Sequence, residues 1–259
     1  MNITDFARKA RSYALRKLLP TGYYFRSDGY CPCCRSDVVF LASNPWLREG
    51  FLCTRCHSVP RQRALLLVLD TAFPNWREMS IHESSPSHGG ASRRMLRDCP
   101  RYVASQFYPG RPSGTIIDGF RNENLEAQTF GDQIFDLVVT QDVVEHLYEP
   151  DKAFREIART LKLGGAHVFT VPLANRHDET QVWARRGSDG KPDFLFEPEF
   201  HGNPVDDQGS PVTMRWGYDI VEYIARACGM ETKFILLRDP TFGLHGEELE
   251  VLISRKLTD

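Results

Sequence analysis

Phe135–Leu173, FDLVVTQDVVEHLYEPDKAFREIARTLKLGGAHVFTVPL, is the stretch whose patterning decides the fold. Its opening Phe135–Thr140 is a short apolar, β-branched run, the composition of a strand buried on both faces. From Asp151 the period changes. Phe154, Ile157, Ala158 and Leu161 recur three and four residues apart, so Asp151–Leu161 predicts an amphipathic helix, with Gly164-Gly165 closing it. Ala166–Pro172 is again short and apolar. A strand, a crossover helix and a second strand form the unit of a parallel sheet.

Working outward, the alternation continues. Ser80–Glu83 predicts a strand, followed by Gly89-Gly90 and a helix to about Asp98. Tyr102–Gln106 predicts a second strand and Thr115–Asp118 a short third. On the other side, Tyr218–Cys228 predicts a helix stopped by Gly229, followed by strands Lys233–Leu237 and Leu249–Ser254. Cys99 and Cys228 fall on these helices as structural thiols. The expected fold is α/β, a doubly wound, mostly parallel sheet with helices on both faces.

The 259 residues suit one such domain plus a small module, and their composition excludes disordered and fibrous classes. A net charge of −2 excludes a generally basic nucleic-acid coat, but it averages two unlike parts. Residues 1–77 carry 12 Lys/Arg against 5 Asp/Glu, whereas residues 78–259 carry 20 against 29. The densest apolar run, Ala64–Leu69, is far short of the ~18–20 residues needed to span a bilayer. The first residues have neither the apolar stretch nor the cleavage site of a secretory signal, so the expected location is cytoplasmic.

Residues 1–20 contain an expected amphipathic basic helix, Ile3–Leu19, which fits either an acidic or anionic contact surface or a helix packed on its own domain. Residues 21–59 carry five of the seven cysteines. Cys31 and Cys34, then Cys53 and Cys56, form two C-x₂-C knuckles at the separation of a four-thiolate zinc site. The competing pairing into two disulfides does not suit a reducing compartment. Four protein ligands leave no open position, so the expected zinc is structural. Val38–Ala42 and Leu52 predict the intervening hairpin, Cys33 is a spare thiol, and His57 is not expected to ligate. Pro60 then opens a Leu-rich helix, Gln62–Phe73.

The quoted run resembles the class I S-adenosylmethionine-dependent methyltransferases, especially the small-molecule, UbiE-like branch whose fourth strand ends in a DVLEH-like turn. The last helix and two strands are similar to that family's closing hairpin. The resemblance spans residues 77–259 and implies a seven-stranded Rossmann-like sheet with an antiparallel last strand. It also implies S-adenosylmethionine as cofactor. Residues 60–259 then form the methyltransferase domain, behind a four-cysteine ribbon.

The site residues follow from the same resemblance. The first turn, His82-Glu83-Ser84-Ser85-Pro86-Ser87-His88-Gly89-Gly90, replaces the family's leading glycines with serines and a proline. Ser84 and Ser85 still allow close approach, and Glu83 is expected to receive the cofactor's ammonium group. Gln106 stands where the family usually has an acid for the ribose. Glu123 and Asn124, ahead of Leu125, resemble the adenine-contacting segment. Gln141 and Asp142 close the fourth strand, and Asp142 has two readings, a cofactor contact or a helix cap. His146 reads either as a general base facing the cleft or as a structural histidine.

Residues 174–216 are too many for a plain connection and form the expected substrate lid. His201, in a Gly/Pro-punctuated turn, is the second candidate base. Glu199, His201 and Asp206 are metal-capable residues in no strong motif. The function expected is methyl transfer to a small-molecule or glycan acceptor by in-line displacement. Two alternatives remain: an RNA-modifying protein that uses the basic ribbon as a reader, and a methyltransferase-like binding module whose first turn has lost catalysis.

Overall fold

The computed structural model describes residues 23–203, 205 and 207–258, so the helix expected over Ile3–Leu19 and residue Asp206 lie outside the described residues. The chain first forms a small antiparallel ribbon: β1 (Phe25–Cys31), β2 (Ser36–Ala42), the single-turn helix α1 (Leu47–Gly50) and β3 (Phe51–Cys53). Leu52 pairs with Leu41, as the hairpin reading expects. Helix α2 (Pro60–Ala72) follows, with Pro60 in its first turn and Leu65, Leu66 and Leu69 buried.

The main sheet is built from β4 (Ile81–Ser84), β5 (Tyr102–Gln106), β6 (Ile116–Ile117), β7 (Phe120–Asn122), β8 (Phe135–Gln141) and β9 (Leu161–Thr170). After six strands of two or three residues in the insertion, β16 (Glu231–Leu236) and β17 (Glu250–Arg255) complete it. The insertion strands are β10 (Gln181–Val182), β11 (Ala184–Arg186), β12 (Pro192–Phe194), β13 (Phe200–His201), β14 (Ser210–Pro211) and β15 (Met214–Arg215). The main sheet runs β16-β17-β9-β8-β4-β5-β7-β6. Strands β7, β5, β4, β8 and β9 are parallel, and β17 runs antiparallel to both β9 and β16.

Seven of these eight strands are the expected set, with one correction. The third parallel strand is β7, the polar Phe120-Arg-Asn122, which carries no apolar run. The expected Thr115–Asp118 supplies only β6, a two-residue edge strand antiparallel to β7.

The period-2 alternation of β8 divides the core. Leu137 and Val139 face α2 and α3 (Gly90–Asp98), in a cluster with Leu65, Leu69, Met95, Ile81 and Val251. Val138 faces α4 (Pro150–Thr160) and α5 (Ile220–Cys228), packed with Phe154, Ile157, Ile224 and Leu252. Gly229 caps α5 in the left-handed conformation, as expected.

Gly164-Gly165 does not close α4. The helix stops at Thr160 and β9 begins at once, while Phe135 pairs with Leu161 and Leu137 with Ala166. The glycines lie in the residues extruded between those two pairs. Gly164 is left-handed, and a side chain on Gly165 would meet the Asp136 carbonyl at 2.9 Å.

The ribbon shares the first of these clusters. Cys31, Val38, Phe40, Phe51 and Cys53 belong to the same buried group as Leu65 and Ile81. The buried Arg63 lies over the Phe40 ring and donates to the carbonyls of Phe51 and Gly243, each at 2.8 Å. Gly29 sits so close to the Thr241 carbonyl that a Cβ would fall 2.1 Å from it. Among the described residues, no helix is long and apolar enough to cross a membrane.

Candidate functional site

Parallel strands leave their carboxyl ends open where the chain order reverses, between β4 and β8. There the structure has a cavity of about 1060 Å³. Its wall includes Ser84 and Ser85 after β4, Gln106 ending β5, Glu123–Leu125 after β7, and Gln141 and Asp142 after β8. The insertion contributes Glu199, His201 and Arg215, and the ribbon contributes Trp46, Arg48 and Glu49.

Gln106 is 3% exposed. Its amide nitrogen donates to the Pro86 carbonyl at 3.3 Å, while its Oε1 has no partner. Gln141 Oε1 is also unpartnered, whereas its nitrogen donates to Glu83 at 2.6 Å and to Ser92 at 3.0 Å. The wall thus presents two buried acceptor oxygens whose amides are held from behind.

Glu83 is not part of that wall, which corrects the expectation that it receives an ammonium group. The pleat turns it with Ile81 toward α3, where its carboxylate accepts from Ser92 at 2.7 Å, from Gln141, and from the Tyr102 hydroxyl at 2.5 Å. Burial raises its carboxyl above the usual range despite these donors. Glu83 therefore organises the turn from beneath. Glu123 does reach the wall, but its oxygens accept from Arg121 at 2.6 Å and from the Thr129 amide at 2.8 Å. Asn124 spends its side-chain oxygen on the Glu126 amide at 2.9 Å.

Asp142 caps no helix. The 3-10 turn Val144–His146 follows it, with no side-chain cap. Arg48 of α1 grips the Asp142 carboxylate through both terminal nitrogens, at 2.7 and 2.9 Å. Arg61 stands at 2.9 Å and the Thr170 hydroxyl donates at 2.8 Å. Burial alone would raise this carboxyl, but Arg48 and Arg61 hold it far below the usual range. The ribbon thereby fixes the end of the central strand.

Opposite, the turn Val144–His146 presents Glu145 and His146, and β13 presents His201. The insertion locks them in place. The Thr213 amide donates to the Glu145 carbonyl at 2.8 Å, and Trp216 donates to the Val144 carbonyl. His146 Nδ1 donates to the Pro211 carbonyl at 2.8 Å, and the two imidazoles stand 5.2 Å apart, edge to face. The adjacent Glu145 carboxylate, outweighing burial, raises His201 above its usual value. The sequence offers Glu145 only as a partner in the Asp142 cap, because beside apolar residues and a histidine it carries no signal of its own.

At the ribbon, Cys31 Sγ lies 3.6 Å from Cys56 Sγ, and Cys34 Sγ lies 3.9 Å from Cys53 Sγ. All four sulfurs are within 4.8 Å of one another. Bonds of about 2.3 Å to a tetrahedral zinc separate thiolates by about 3.8 Å. Cys33 faces the Gln62 carbonyl instead, as the spare.

Residues 95–169 match the family model described as a methyltransferase domain. A curated dimethylglycine N-methyltransferase of Parasynechococcus marenigrum (strain WH8102) is 30% identical over 123 residues, 43% of this chain and 44% of that protein. The chain thus spans less than half the length of that relative. Among solved structures, an S-adenosylmethionine-dependent methyltransferase of Mesorhizobium loti aligns with TM-score 0.47 at 14% identity, over 74% of this chain and 97% of that one. The 1,6-didemethyltoxoflavin-N1-methyltransferase of Burkholderia thailandensis aligns with TM-score 0.46 at 13% identity, over 76% and 79%. The matched residues run from α3 to β9 through the centre of the sheet, so this part of the chain is similar to a methyltransferase domain.

Proposed function

We propose that the cavity binds S-adenosylmethionine and that the chain transfers its methyl group to a small-molecule or glycan acceptor beneath the insertion. The observation that carries this reading is the buried, unpartnered Gln106 Oε1 at the carboxyl end of β5. It offers an acceptor to a ribose hydroxyl where a bulky or donor-only side chain would not. Gln141 Oε1 offers a second acceptor, for the ammonium end, and Ser84 and Ser85 keep the adjoining turn small. The segment Glu123–Leu125 would flank the base.

The bound cofactor supplies an activated methyl on a sulfonium leaving group, so the protein's task is alignment and exclusion of water. Glu83 positions Gln141, and Arg48 with Arg61 keeps Asp142 at a fixed place on the wall. The insertion over residues 174–216 covers the opposite side as a lid. For a hydroxyl acceptor, His146 and His201, on the insertion's side of the cavity, are suited to take up a proton. The curated relative is named for N-methylation of a small molecule, which supports the small-molecule acceptor.

We further infer that Cys31, Cys34, Cys53 and Cys56 hold a structural zinc, supported by their near-tetrahedral sulfur spacing. None of the seven cysteines is joined in a disulfide, which suits a reducing, cytoplasmic location.

Isothermal titration with S-adenosylhomocysteine tests the cofactor reading. The expected result is micromolar binding, weakened about tenfold by Gln106→Ala, the worth of one buried hydrogen bond. Absence of binding at millimolar ligand in the folded protein would favour a binding module that has lost its cofactor.

A further inference from the structure

We propose that Glu145, His146 and His201 form a site for one divalent transition-metal cation at the acceptor end of the cavity, distinct from the four-cysteine cluster. Glu145 is 1% exposed, and neither carboxylate oxygen has a hydrogen-bond donor. A buried carboxylate left so is costly unless a positive charge meets it. The two imidazoles flank the same oxygen: His146 Nε2 and His201 Nδ1 each lie 3.7 Å from Glu145 Oε1.

That separation is long for hydrogen bonds but close to what one shared ion requires. Ligand bonds of about 2.1 Å place neighbouring donors about 3.0–3.4 Å apart. Each carboxylate–imidazole separation therefore needs a contraction of a few tenths of an ångström, and all three ligand atoms already lie within 4.8 Å of one another. The outer nitrogen of each ring is already occupied. His146 Nδ1 donates to the Pro211 carbonyl at 2.8 Å, and His201 Nε2 faces Glu199 Oε1 at 3.3 Å. Arg215 in turn donates to Glu199 at 2.6 Å. The proton that His146 Nδ1 gives to a carbonyl leaves its Nε2 lone pair aimed at Glu145, and a His201 proton on Nε2 toward Glu199 would leave Nδ1 aimed likewise, the orientation that metal-ligating histidines acquire from such partners. Pairing of His201 with Ser210, and Phe200 with Pro211, sets the second ring and its neighbour's anchor on one short ribbon.

Two imidazoles and one carboxylate suit first-row divalent cations. Three protein ligands leave positions open toward the cavity, where an acceptor oxygen can bind. A hydroxyl so bound would be acidified by the metal and would release its proton to water, so that no free imidazole base is needed. The inference does not rest on cofactor binding, since the cation is read without it.

The test uses the full chain with its cysteine cluster zinc-loaded, titrated with Co²⁺ alone. The expected result is one cobalt per chain, with visible ligand-field absorption and without the near-ultraviolet charge transfer of thiolate–cobalt bonds. His201→Ala, on the partly exposed insertion, and Glu145→Gln should each weaken this binding at least about tenfold while zinc content stays unchanged. Should Glu145→Gln not fold, His201→Ala carries the same comparison. Failure of the folded wild type to bind cobalt at millimolar concentration would overturn the proposal, leaving a proton shared among Glu145, His201 and Glu199. So would binding undiminished in the variants, or a spectrum dominated by thiolate charge transfer.

Discussion

The ribbon and the insertion both add to the same sheet and both reach the same cavity, yet they attach in different ways. The ribbon enters the core: Phe40, Phe51 and Cys53 are wholly buried, Arg48 carries a charge-assisted contact to Asp142, and Arg63 of α2 grips the Phe51 carbonyl from the main domain. The insertion is buried at its foot, around Val212–Trp216, and at Trp183 and Ala184, whereas Leu195, Phe196 and Phe200 remain about half exposed. One addition has become part of the scaffold, and the other rests on it. A scaffold element should govern stability, and a cover should govern what the cavity admits.

The largest expected effect tests the ribbon directly. Cys53→Ser should lose the bound zinc and on the order of 10 kcal/mol of metal-linked folding free energy, comparable with the whole stability of a typical domain. Metal content and thermal unfolding of the purified protein check this, and a variant that keeps full stability would show the ribbon to be as peripheral as the insertion. Next comes Arg48→Met, expected to cost about 3 kcal/mol because it strips a buried carboxylate of its main partner. Here pH sharpens the result. Arg48 and Arg61 hold Asp142 below its unfolded value, so their stabilisation is complete above about pH 4 and is lost on further acidification. Urea unfolding should therefore show the gap between wild type and variant narrowing below that pH. The smallest effect belongs to the insertion's exposed rim: Phe200→Ala should change the unfolding free energy by less than about 0.5 kcal/mol and leave S-adenosylhomocysteine affinity unaltered. A larger loss would mean that the rim is structural after all.

What the sequence disclosed followed the range of the interactions involved. The β8–α4–β9 unit and the knuckles were legible because periodicity and C-x₂-C spacing are local signals. β7 was not, because Phe-Arg-Asn has no apolar alternation and takes its strand form from pairing with β5. Gly164-Gly165 looked like a helix stop, but the demand for glycine comes from the Asp136 carbonyl across the sheet. In the site, Gln106 and Gln141 were singled out by the family resemblance at the ends of their strands, and both line the cavity. Glu83 was misplaced by one step of the pleat, since only the alternation of β4 decides which face it serves. The Arg48–Asp142 pair joins residues 94 positions apart and leaves no mark in either segment. Glu145 needed His201 from the insertion to acquire meaning.

The ribbon's anchoring also sets an order of assembly. Arg48 donates to the carbonyl of Glu248, two hundred residues later, and Arg63 to that of Gly243. Gly29 is kept bare for the Thr241 carbonyl. The first part of this unit to leave the ribosome is therefore among the last to find its seat. Until the closing hairpin has been synthesised, Phe40 and Phe51 lack part of their cover, and the ribbon must hold its own shape while it waits.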